Sequence, residues 1–115
     1  MYSASHKDYS CLLNILDSIE KIISYTSGFR NADDFFNDTK SFDATMMNFV
    51  VIGEMAEKLS DKLISETQLN IDWFKIRGFR NIIAHNYFGI DAEEVWQIIN
   101  SKLESLKNEI QKIIE

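Results

Sequence analysis

With 115 residues, no proline, four glycines and 45% apolar side chains, the chain has the length for one modest core and the composition of long helices rather than of a turn-rich β fold. Its single cysteine, Cys11, excludes an internal disulfide. No Cys/His group has zinc spacing, no apolar run reaches a membrane span, and the first residues lack a signal peptide's apolar stretch, so a cytoplasmic setting without metal is expected. The net charge of −6 excludes binding of nucleic acid through a broad basic surface and leaves room for a small basic site.

The first helix is expected from about Lys7 to Thr26, where Leu12, Ile15, Leu16, Ile19, Ile22 and Ile23 repeat at steps of three and four before Gly28 stops the pattern. Asn31 to Asp38 reads as a loop holding one short helical turn, with Phe35 and Phe36 tucked against the bundle. Ser41 is the expected cap of the next long helix, which carries Phe42, Met46, Phe49, Val50, Gly53, Ala56, Leu59 and Leu63 on one stripe. A second stripe, Met47, Val51 and Met55, exceeds what one bundle interior uses and points to a further neighbour such as a second subunit. After Glu66 to Asn70, a third helix begins near Asp72 and ends between Asn86 and Gly89. Asp91-Ala-Glu-Glu94 has the form of a capping box opening a last helix, in which Ile99, Leu103, Leu106, Ile110 and Ile113 recur. The expected architecture is all-α: one domain over residues 1–115, an up-and-down antiparallel four-helix bundle with a short extra helical turn.

The chemistry-bearing side chains concentrate between Arg77 and Ile90, where Arg77, Arg80, Asn81, His85 and Tyr87 follow one another closely. At roughly 100° per residue, Trp73, Ile76, Phe79, Ile82, Ile83 and Tyr87 fall on one half of the helical wheel, and Arg77, Arg80, Asn81, Ala84 and His85 on the other. Asn81 and His85 are surface neighbours, whereas Arg80 and His85 point about 140° apart. For both to serve one reacting atom, either the helix ends near His85 or a second copy of the chain supplies the other half. Each residue also has a plain structural reading: a helix-end histidine that caps, arginines that face water, a tyrosine packed as a buried aromatic.

The pattern Arg80-x-x-x-x-His85-x-Tyr87, preceded by Asp72-Trp-Phe-Lys-Ile76 and followed by Asp91 to Ile99, resembles that of the HepT-type HEPN proteins. The resemblance extends to Asn14 to Ile23 and to Ile52-Gly-Glu-Met-Ala-Glu-Lys-Leu-Ser60, and so covers nearly the whole chain. That family often carries a proline shortly before the tryptophan, where this chain has Leu69-Asn70-Ile71. The resemblance implies the toxin half of a toxin–antitoxin pair: a metal-independent endoribonuclease that needs no cofactor, with Arg80 and His85 at a cleft between two subunits of a homodimer. It further implies a minimal nucleotidyltransferase antitoxin as partner, silencing the toxin by attaching adenylate to Tyr87.

The residue types suit that chemistry. RNA cleavage without a metal needs a base for the ribose 2′-OH, a cation for the phosphorane and an acid for the leaving 5′-oxygen. Histidine can take either proton-transfer role, and arginine grips two phosphate oxygens at once. Asn81 is the next helper, orienting histidine or phosphate or simply bonding to backbone. Arg77 either extends the phosphate contact or faces solvent, and Glu54 either pairs with an arginine near the cleft or is a solvated helix acid. Two other readings fit the same residues: a non-catalytic HEPN subunit binding nucleotide or RNA for a nucleotidyltransferase, and a purely structural helical interaction module.

Overall fold

Ser5 and Asp8 start the first helix with a complete capping box, in which the Ser5 hydroxyl accepts from the Asp8 N–H and the Asp8 carboxylate accepts from the Ser5 N–H. The fold is seen in a computed structural model that describes residues 2–115, all helix and connecting turns among those residues. Helix α1 spans His6–Thr26, α2 Ala32–Asn37, α3 Thr39–Glu57, α4 Asp61–Thr67, α5 Trp73–His85, α6 Ala92–Ser101 and α7 Leu103–Ile114, with a 3₁₀ turn at Tyr87–Gly89 between α5 and α6.

Side-chain pairs give the helix directions. Asp8, near the start of α1, accepts hydrogen bonds from Ser60 just beyond the end of α3, and Asn14 reaches Met55 further back along α3. Lys107 in α7 pairs with Glu20 in α1 at 2.7 Å, while Gln111 and Ile114 lie beside Leu13 and Leu16. Arg77 and Arg80 meet Ala56 and Glu54, whereas Tyr87 meets Asp43. Each neighbouring pair therefore runs antiparallel, as expected of an up-and-down bundle. Helices α1, α3 and α5 are three of its arms, and α6 with α7 makes the fourth. The core joins Leu12, Ile15, Ile19 and Ile22 of α1 to Met46 and Ile52 of α3 and Ile110 of α7. An aromatic group continues it, with Phe35 against Phe29, Phe42 and Trp96 at ring-centroid distances of 5.9, 5.2 and 5.7 Å.

The structure corrects several local expectations. Asp38, not Ser41, caps α3: its carboxylate accepts from the Ser41 N–H. Phe35 is buried, but Phe36 is half exposed, its ring edge-on to Phe42. Helix α3 stops at Glu57 instead of running on through Leu63, because the Ser60 hydroxyl caps a new helix at the Leu63 N–H while donating to Asp8. Leu63 is buried from that separate α4. The last helix is likewise divided at Lys102. Its start is an Asp91 cap accepting from Glu93, not a reciprocal box with Glu94. Of the second stripe on α3, Met47 stays exposed and Val51 and Met55 half-buried, so no helix of the chain covers it fully. No helix is long and apolar enough to cross a membrane among the described residues.

Candidate active site

Helix α5 opens at Asp72, whose carboxylate caps the Lys75 N–H, and is anchored by Trp73, buried with its indole N–H donating to Thr67 Oγ1 at 2.8 Å. Its docking face differs from the simple wheel. Ile83 is buried and Ile76 and Phe79 half-buried as expected, but Ile82 is exposed, and Arg77 and Arg80 turn inward against α3. Gly53 makes that possible. A Cβ there would overlap the Arg80 Cβ and sit 2.7 Å from its Cγ, so the missing side chain is the seat of the Arg80 stem.

The guanidinium at the end of that stem is held from two sides. Arg80 Nη2 donates to Glu54 Oε1, and Nη1 donates to Asn81 Oδ1 at 2.9 Å. The ion pair is only partly shielded, with the side chains 31% and 40% exposed, while Arg80 Nε is buried without a hydrogen-bond partner. Arg77 is committed elsewhere: its Nη2 donates to the Ala56 carbonyl at 2.9 Å, closing the C-terminal turn of α3. The side chain is half-buried, so it is not the fully solvated arginine that was one of its two expected readings. His85 is the last residue of α5 and exposed, and its ring makes no hydrogen bond among the described residues. The structure thus brings Glu54, Arg80 and Asn81 together and leaves His85 at the helix end, unlinked to Arg80 within one chain.

Tyr87 follows in the 3₁₀ turn, since the Asn86 N–H still bonds to the Ile82 carbonyl but the chain then leaves the helix. Its ring packs edge-on against Phe42 and Phe88, and its hydroxyl donates to Asp43 Oδ1. Burial, then the hydrogen bond and negative charge of Asp43, push the phenol up to about 12. Asp43 was absent from the sequence reading. A signal existed: Asp43 and Glu54 stand eleven positions apart on one face of α3, and the antiparallel α5 with the turn that follows it offers each acid one motif side chain, Arg80 and Tyr87. A separate cleft of about 660 Å³ lies between the start of α5 and the α6–α7 junction, lined by Phe49, Ile76, Phe79, Leu103 and Leu106 among others. None of the candidate site residues lines it.

A family model described as "Ribonuclease HepT-like" matches residues 15–113. The chain belongs to the HepT-like ribonuclease family. Among similar proteins, a "Gamma-glutamylcyclotransferase and putative RNase" of Methanocaldococcus jannaschii is 36% identical over 110 residues, covering 95% of this chain and 49% of that protein. The chain therefore spans about half the length of that relative. A "Putative RNase" of the same organism is 31% identical over 90% of this chain and 84% of its own length. A "Probable ribonuclease HepT" of Thermococcus cleftensis is 29% identical over 95% of this chain and 96% of its own. No solved structure matches. Membership of the HepT-like family and the names of these relatives support a ribonuclease, and the helical bundle agrees with a HEPN-type fold.

Proposed function

We propose that the chain is a metal-independent endoribonuclease toxin acting as a homodimer, with Arg80 and His85 as its catalytic residues. The observation that carries this reading is the arginine: a guanidinium fixed by Glu54 and Asn81 and only partly shielded, a turn and a half before an exposed histidine, in a HepT-like ribonuclease. Arg80 grips the scissile phosphate and stabilises the phosphorane as the ribose 2′-oxygen attacks. Glu54 and Asn81 hold Arg80 in place, and Arg77 acts one step back by fixing the end of α3. In each site His85 takes the proton of the 2′-OH and, once protonated, gives a proton to the leaving 5′-oxygen, while the second copy of the chain sets the histidine of one chain against the arginine of the other. RNA is the substrate, and a minimal nucleotidyltransferase is the silencing partner, adding adenylate to Tyr87. Negative charge placed there lies one helix end away from the arginine that receives RNA phosphate.

The test is cleavage of a defined RNA by the purified protein. Cleavage should persist in EDTA and leave a 2′,3′-cyclic phosphate. His85→Ala should lower the rate by at least about a hundredfold, the scale of lost proton transfer, while its circular dichroism stays that of the wild type. Arg80→Lys should fall similarly, because lysine keeps the charge but loses the two-point grip. Full activity in His85→Ala, or strict dependence on added metal, would reject the mechanism.

A further inference from the structure

Among the chain's four tyrosines, Tyr87 is set apart by its hydroxyl, which points into a carboxylate supplied by a different helix. The second turn of α3 builds this contact: Phe42 fixes the ring edge-on, at a centroid distance of 6.2 Å and an angle of 74°, and the next residue, Asp43, accepts the hydroxyl hydrogen. Asp43 is exposed, so the contact stands at the surface, where a second protein can reach it. The phenol is protonated at neutral pH and is a poor nucleophile in that state. A carboxylate on its hydroxyl is the group that removes the proton while a new bond forms.

We propose that Asp43 is a general base carried by the modified protein itself, activating the Tyr87 hydroxyl for nucleotidyl transfer from a nucleoside triphosphate. This rests on Tyr87 being the acceptor. In the step, Tyr87 Oη attacks the α-phosphorus and forms the new O–P bond as the bridging bond to the β-phosphate breaks. Pyrophosphate leaves with the bridging electron pair. The phenolic proton passes to Asp43 Oδ1 and from there to water. The transferase then needs to bring the nucleotide, while the acceptor brings its own base.

Asparagine separates the chemistry from the packing, because its carbonyl oxygen can still accept the Tyr87 hydrogen but cannot take the proton. The experiment offers wild type, Asp43→Asn, Asp43→Glu and Tyr87→Phe to a minimal nucleotidyltransferase from a HepT-like pair with ATP, reading adenylate addition by intact mass and by peptide mapping. Asp43→Asn should lower kcat for the modification by about a hundredfold with the KM for the protein substrate unchanged, Asp43→Glu should recover part of the rate, and Tyr87→Phe should take no label. A wild-type rate in Asp43→Asn overturns the proposal, as does a change confined to KM, which would make Asp43 a docking contact. If wild type takes no adenylate at Tyr87, the acceptor reading fails by itself. An aryl sulfonyl fluoride applied to the isolated chain then decides the role of Asp43: labelling at Tyr87 that is lost in Asp43→Asn supports a base, and equal labelling of both overturns it.

Discussion

Two residues of little chemical promise turn out to govern the reactive ones. Asp43 does so through the Tyr87 hydroxyl, and Gly53 does so by having no side chain. In the sequence Gly53 reads as one more core position on a helical stripe, whereas the structure gives it the stem of Arg80 as a neighbour too close for any Cβ. Gly53→Ala therefore sets two effects against each other. Alanine in a helix interior is favoured over glycine by about 1 kcal/mol, but overpacking against a side-chain base that cannot swing aside costs about 1–3 kcal/mol. The clash should win, lowering stability by about 1 kcal/mol or more in a urea titration and lowering RNA cleavage further, because α5 and the Arg80 guanidinium must move off Glu54. A variant that is more stable and fully active would show that the two helices are not tightly seated here. The reactive types themselves were legible: Arg80, Asn81, His85, Tyr87 and Glu54 announce themselves by chemistry and spacing. Pairing with an arginine was one of the two readings of Glu54 and is the one met, but that the arginine is Arg80, and that Asp43 takes Tyr87, follows from the register of two helices and not from either alone.

Helices were legible where periodicity alone builds them and illegible where a distant residue ends them. Helix α1, expected from about Lys7 to Thr26, spans His6–Thr26. Helix α3 was expected to run on, and it stops because Ser60 is bound by Asp8, fifty-two positions earlier. Asp8 is almost fully buried, which raises its pKa, yet hydrogen bonds from the Ser60 N–H and hydroxyl and from Ser5 outweigh that and hold it below its ordinary value of 3.8. A depressed carboxylate stabilises the fold at every pH above its unfolded value, and that contribution disappears as pH falls through the folded one. Asp8→Asn should therefore cost about 1–3 kcal/mol near pH 7, with the gap to wild type narrowing as the pH is taken to about 3 and below. Urea titrations at both pH values measure this. A gap that stays constant, or widens on acidification, would mean that the link between α1 and α4 depends on shape and not on charge.

At the scale of the whole molecule, the bundle leaves the proposed catalytic pair divided. Arg80 turns toward α3 and is held there by Glu54, whereas His85 ends α5 in the open, about 140° around the helix from it. Met47 is exposed and Val51 and Met55 half-covered on α3, and Ile82 and Phe88 are exposed near the histidine, so apolar surface suited to a second copy flanks both residues. If two copies meet there, each site takes its arginine from one chain and its histidine from the other, and this has a consequence that no single-chain site shares. Arg80→Ala and His85→Ala should each be inactive alone. In a heterodimer of the two, one site carries both defects while the other receives an intact arginine and an intact histidine. Equal amounts of the two variants, unfolded together and refolded, should then regain about a quarter of wild-type cleavage, because half of the dimers are mixed and each mixed dimer has one of two sites intact. Sedimentation of the same sample should give a dimer at tens of micromolar, roughly the range in which an obligate pair stays associated. A dimer without recovered cleavage would place Arg80 and His85 of one site on the same chain. A monomer that cleaves RNA would remove the second copy from the mechanism altogether.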